Sequence, residues 1–231
     1  MKKHIPNTIT CCNLICGCIA TYYAFQGNFN LALAFIIGGA VFDFFDGFTA
    51  RLLHVSSPIG KELDSLADDI TFGFAPAAIV FSMLKTVPVI TDIAWLNALL
   101  PYTAFLIAAF SALRLAKFNL DERQTSSFIG LPTPANALFW GALILGTQEF
   151  WCDFNYALPV LLLGVFLSSW LLVAEIPMFA LKFKNYSLQD NKLKYGFILL
   201  SLILLIFLTW TGFSVIIVIY ILLSILNNLK K

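Results

Sequence analysis

Long apolar runs recur along the whole chain, broken only by short clusters of Pro, Gly, Asn and charged residues. A helix rising about 1.5 Å per residue needs about 20 apolar residues to cross a bilayer core. The breaks predict eight such spans, at about 8–25, 29–53, 60–85, 95–119, 131–149, 156–178, 194–211 and 213–228. Strict alternation of apolar and polar residues, the mark of a membrane barrel, is absent. Backbone polar groups inside lipid must then be satisfied within helices. The expected fold is all-α, a polytopic integral membrane helical bundle.

Composition sharpens this reading. Of 231 residues, 60% are hydrophobic and 12% charged, against about a quarter charged in ordinary soluble domains, which excludes a water-soluble globule. The net charge of +1 leaves no basic face for a nucleic-acid backbone. If the amino terminus is cytoplasmic, 13 of the 14 basic residues fall on inner segments and only Lys85 lies outside. The positive-inside rule therefore places both termini in the cytoplasm. Met1 to Asn7 leads into an apolar run without a small-residue cleavage site, so the first helix is expected to persist. No repeat is visible, and the longest inner loops, about 120–130 and 179–193, are too short to fold alone. Residues 1–231 are read as one domain.

Several residues have structural readings. Cys11, Cys12, Cys16, Cys18 and Cys152 are odd in number and mostly crowded into one apolar segment, so they read as packing residues. Trp95, Trp151 and Trp210 fall near outer span ends and read as interfacial anchors. Pro132 and Pro134 are expected to fix the entry of the fifth span. His4 and His54 have no partner at ligand spacing, and Gly38-Gly39 permits close helix approach.

Asp43, Asp46, Asp64 and Asp68 break the apolar pattern inside spans two and three. An unpaired charge there costs at least about 2.5 kcal/mol. At about 100° per residue, Asp46 lies about 60° from Asp43, Gly47 about 40° and Ala50 about 20°, so the four share a face. On the next helix Gly60, Asp64 and Asp68 form an i, i+4 stripe. The connection from Leu52 to Ile59 is short, which predicts antiparallel neighbours whose acids converge at the cytoplasmic side. Divalent cations with oxygen ligands, Mg²⁺ or Mn²⁺, would resolve the repulsion and hold a phosphorylated substrate. The bland alternative is a set of protonated acids in interhelical hydrogen bonds, or carboxylates paired with Arg51 and Lys61. An ion-coupled transporter is a second functional class, disfavoured because no polar residues continue outward. Thr10 and Asn13 on the first span add a polar pair at i, i+3.

The residues Asp43-Phe-Phe-Asp46-Gly47-Phe-Thr-Ala50-Arg51, eight residues, Gly60, three, Asp64, three, Asp68 span 26 positions. This pattern resembles the signature of the CDP-alcohol phosphatidyltransferase family at every fixed position. Flanking residues are similar to the branch that uses L-serine. They are Ile5-Pro6-Asn7, Thr10, Asn13, Cys16-Gly17, Ser65-Leu66-Ala67, Phe72-Gly73, Ala75-Pro76, Arg114 to Asn119, Gly130 to Ala135 and Ile176 to Phe179. Asp69 and Thr71 depart from that branch, where an apolar residue and a serine are expected. The last two spans carry no motif.

The resemblance implies transfer of a phosphatidyl group from CDP-diacylglycerol to L-serine, with release of CMP. It implies two divalent ions, one held by Asp43, Asp46 and Asp64 and a second by Asp43, Asp64 and Asp68. Gly47, Ala50, Arg51 and Gly60 would line the nucleotide pocket, together with Thr10 and Asn13, and Asp68 would also act as base. It also implies a homodimer, and the distribution of basic residues puts the site at the cytoplasmic face of the cell membrane. Arg114 is the chosen grip for the serine carboxylate, because guanidinium binds carboxylate in two places; Lys117 and Arg123 are equally explained as topology-setting charges. The same machinery would serve another acceptor, glycerol 3-phosphate or an inositol phosphate, or an archaeal ether-lipid donor.

Overall fold

The computed structural model describes residues 4–88, 93–121, 128–179, 187 and 191–229. Lys2, Lys3, Arg123, Lys182, Lys184, Lys230 and Lys231, all assigned to the inner side from sequence, lie outside the described residues.

The chain opens with α1, His4–Phe25, and α2, Phe29–Leu52. Gly27 turns between them with φ 72°, and the Asn28 side chain caps α2 by accepting from the Leu31 amide at 3.1 Å. Helix α3, Pro58–Asp68, starts with proline in its first turn, where a missing N–H costs nothing. Its cap is Ser57, whose Oγ accepts from the Gly60 amide at 2.9 Å. A π-helical turn, Asp69–Phe74, then joins α3 to α4, Ala75–Leu84. After α5, Ala94–Leu99, and a 3₁₀ turn comes α6, Leu106–Leu120. A two-residue strand β1, Phe128–Ile129, precedes α7, Thr133–Asp153, and α8, Ala157–Val173. Strand β2, Pro177–Met178, pairs antiparallel with β1, and α9, Lys192–Leu229, ends the chain.

Five continuous helices among the described residues are long and apolar enough to cross a membrane: His4–Phe25, Phe29–Leu52, Pro58–Leu84, Ala94–Leu120 and Lys192–Asn228. The last doubles back. Thr209 has φ 50° and ψ −121° inside α9, and the Phe197 and Tyr220 rings lie 6.1 Å apart, where a straight helix would separate them by roughly 35 Å. The two runs expected at 194–211 and 213–228 are therefore the arms of a hairpin. The 156–178 expectation is trimmed at its end, because α8 stops at Val173 and residues 177–178 enter the small ladder.

The core gathers Ile36, Phe72, Ile79, Met83, Ile107 and Trp140, all essentially inaccessible. Trp140 donates its indole N–H to Ser168 Oγ at 3.0 Å, so this large ring is buried with its polar atom satisfied. Phe44, Leu163 and Phe207 remain exposed, as expected of faces turned to lipid. Trp95 and Trp210 are exposed, but Trp151 is buried in the core and is not an interfacial anchor. Its ring packs against Phe150 and Phe154 instead.

Spans two and three meet, as expected, where α2 touches the π-helical turn and α4, but their acid-bearing parts are joined through a third helix. Helix α1 packs along α2 and also against α3, whereas α2 and α3 scarcely touch. Close approach is made by glycine: a β-carbon on Gly39 would sit 2.5 Å from Thr71 Cγ2 and 2.8 Å from Asn13 Oδ1. Gly39 thus packs inside the chain, against α1 and the π-helical turn.

Candidate active site

The gap between α2 and α3 is a cavity of about 270 Å³. Its lining includes Asp46, Gly47 and Ala50 of α2, Gly60, Lys61 and Asp64 of α3, and Asn7 and Thr10 of α1. Glycine at 47 and 60 and alanine at 50 keep the walls short. A β-carbon on Gly60 would meet Asn7 Oδ1 and Ser57 Oγ at 3.0 Å.

Beside this cavity, Asp43, Asp64 and Asp68 each offer a carboxylate oxygen, and the three oxygens lie within 4.8 Å of one another. Asp46 stands outside that triplet but within electrostatic reach of Asp64. Helix α1 orients the acids: Thr10 donates to Asp46 Oδ2 at 2.6 Å, and Asn13 Nδ2 donates to Asp68 Oδ1 at 3.1 Å. Asn13 is itself held where Thr71 Oγ1 donates to its backbone carbonyl at 3.0 Å. Thr71, one of the two departures from the serine-using branch, therefore supports the site. Asp69, the other, has a buried carboxylate oxygen without a hydrogen-bond partner, packed close to Gly73 and Ser111.

The triplet meets the requirements of a hard divalent cation, with three oxygen donors within mutual reach. Of the bland alternative, interhelical hydrogen bonds are present, at Asp46 and Asp68, but the ion pairs are not found among the described residues. Neither Arg51 nor Lys61 pairs with these acids; Lys61 donates to the Asn119 carbonyl at 3.0 Å instead. Like charges so placed need a cation or shared protons to be tolerated.

Of the residues expected at the nucleotide pocket, Thr10, Gly47, Ala50 and Gly60 line the cavity. Arg51 and Asn13 do not: Arg51 is exposed with its Nη1 beside Gly47, and Asn13 is buried behind Asp68. Sequence reasoning did not place Asn7, Lys61 or the loop residues Ser56 and Ser57 at this pocket, yet all of them line it. The capping signal at Ser57 was readable; its place on the cavity wall depends on the turn after α2, where His54 takes φ 52°.

Arg114 is 7% exposed, its Nε has no hydrogen-bond partner, and it lies within electrostatic reach of Asp68 and Tyr220. Its guanidinium carbon is 5.8 Å from the centroid of the Phe118 ring. Tyr220 comes from the motif-free end of the chain and donates to the Phe179 carbonyl at 3.0 Å; an isolated tyrosine gave no sequence signal. At the start of α7, Thr133 and Asn136 are buried with unpartnered polar side-chain atoms; Thr133 lay within the Gly130–Ala135 match, whereas Asn136 drew no notice in the sequence.

A helical membrane protein with an acid cluster opening on a polar cavity defines a class, and comparison with known proteins supplies its family. Residues 3–178 match CDP-alcohol phosphatidyltransferase, and the chain belongs to that family of membrane transferases. It is 35% identical over 175 residues to the CDP-diacylglycerol--serine O-phosphatidyltransferase of Bacillus subtilis (strain 168), covering 75% of this chain and 89% of that one. Proteins of the same name from Mycobacterium tuberculosis (strain ATCC 25618 / H37Rv) and Methanocaldococcus jannaschii are 35% and 34% identical over 185 and 134 residues. Those matches cover 75% and 58% of this chain, and 60% and 57% of the relatives.

Proposed function

We propose that this protein transfers the phosphatidyl group of CDP-diacylglycerol to L-serine, producing phosphatidylserine and CMP. The observation that carries the reading is the convergence of Asp43, Asp64 and Asp68 oxygens within 4.8 Å beside a cavity walled by small residues. The names of the relatives favour serine as acceptor.

Asp43, Asp64 and Asp68 would hold one divalent cation, Mg²⁺ or Mn²⁺, and Asp43, Asp46 and Asp64 a second. Bound there, such ions neutralise charge developing on the pyrophosphate oxygens. The protein does the rest by placement. Thr10, Gly47, Ala50 and Gly60 receive the nucleotide end of the lipid in the larger cavity. Arg114 grips the carboxylate of serine in two places. The serine hydroxyl oxygen then bonds to the lipid-side phosphorus as the anhydride bond to CMP breaks, and that electron pair leaves on CMP. Asp68 accepts the hydroxyl proton as the new bond forms, because a carboxylate is too weak a base to make the alkoxide beforehand. Asn13 fixes the Asp68 carboxylate during this step.

The protein is read as a single domain, 1–231, of eight spans in the cell membrane. Its termini and active site face the cytoplasm, and it works as a homodimer. The deciding experiment follows CMP release by the purified protein with CDP-diacylglycerol, Mg²⁺ or Mn²⁺, and serine, glycerol 3-phosphate or inositol phosphate in turn. Turnover with serine alone is expected. Comparable turnover with either phosphorylated alcohol would remove serine from the assignment, and solute flux in proteoliposomes without CMP release would mark a transporter.

A further inference from the structure

A second, smaller cavity lies at the inner end of α6 and α8, enclosing about 40 Å³ and lined by Arg114, Lys117, Asp121, Ile129 and Glu175, among others. It thus carries both signs of charge. Arg114 and Glu175 share this cavity, yet among the described residues neither forms an ion pair. Arg114 is nine-tenths buried with its Nε unpartnered, an arrangement that a protein tolerates poorly unless a ligand completes it. Glu175 follows the end of α8, next to buried Ala174, and is itself exposed.

Opposite charges held across a space, without closing on each other, suit a ligand that itself carries both charges. A volume of about 40 Å³ takes about three water-sized groups, the scale of an ammonium and a carboxylate and too small for a sugar ring. The position fits as well. Arg114 lies within electrostatic reach of Asp68 and lines a cavity that shares no lining residue with the larger one. Donor and acceptor would thus approach the acids by different routes, as in-line displacement requires.

Resting on the serine reading above, we propose that Glu175 receives the ammonium group of the amino-acid acceptor while Arg114 holds its carboxylate. The smaller cavity is then a zwitterion filter, rejecting alcohols that lack either charge. Glu175 touches neither the reacting hydroxyl nor the phosphorus, so its contribution is to acceptor binding.

The test is steady-state CMP release by the full-length purified protein in mixed micelles with CDP-diacylglycerol. For Glu175→Gln the KM for L-serine should rise at least about tenfold, the loss of one charge-assisted hydrogen bond. The kcat and the KM for CDP-diacylglycerol should stay within about twofold, and Glu175→Asp should recover part of the serine affinity. An unchanged serine KM in Glu175→Gln, or a fall in kcat alone, overturns the role of Glu175. If the wild type releases CMP with a phosphorylated alcohol and not with serine, the underlying reading fails instead.

Discussion

Asp68 sits where α3 gives way to the π-helical turn, and that irregularity sets its surroundings. A π turn inserts extra backbone into an α-helix and so re-aims the residues beside it. Here it brings Thr71 against the Asn13 carbonyl while Asn13 grips Asp68. Asp68→Asn keeps the shape and removes the proposed proton acceptor. Its turnover should fall by at least about a hundredfold, the usual scale of general-base catalysis, with binding of a CDP-lipid still detectable by calorimetry. A variant with near-normal rate would take Asp68 out of the base role. Asn13→Ala should lower kcat more than it raises the KM for CDP-diacylglycerol, since Asn13 contacts the base and does not line the nucleotide cavity; an effect confined to KM would contradict that division.

Among the elements, α1 is the one that ties the site together, because α2 and α3 each pack on it and not on one another. Gly39 is a point of close approach, facing Asn13 and Thr71. Gly39→Val should destabilise the protein by about 1–3 kcal/mol through overpacking, read as a lower Tm in detergent. Gly196→Ala, in helix α9 with nothing within 4 Å of its added carbon, should leave Tm unchanged or raise it, since alanine is the better helix former. Equal losses from both would show that the contact with α1 is not special. Helical angles on α2 and α3 made the acid faces legible in the sequence, since 3.6-residue periodicity is a local property. The part played by α1 was not legible, because polar residues in one helix do not announce which neighbour they face. Arg51 shows the same limit: it follows directly on the acid face in sequence, but its long side chain is exposed with Nη1 beside Gly47 and does not line the cavity.

For the molecule as a whole, the distribution of lysine and arginine gave the expected orientation, and the hydropathy breaks gave the helices. The turn at Thr209 was anticipated only as a break between two runs; that the two arms of α9 fold back on each other is revealed by the contact between the Phe197 and Tyr220 rings. The β1–β2 ladder escaped notice because two-residue strands carry no periodicity. The expected orientation puts Cys152, exposed near the end of α7, outside the cell. A variant retaining only that cysteine should react with a membrane-impermeant thiol reagent on intact cells; protection until the membrane is opened would reverse the topology. The central claim concerns the acids that this architecture gathers. It is tested most directly by measuring CMP release from purified protein stripped by a strong chelator, then titrated with Mg²⁺ or Mn²⁺ in the presence of CDP-diacylglycerol and serine. No release before the cation and full recovery after it is the expected result, whereas turnover that persists through thorough chelation would contradict the account.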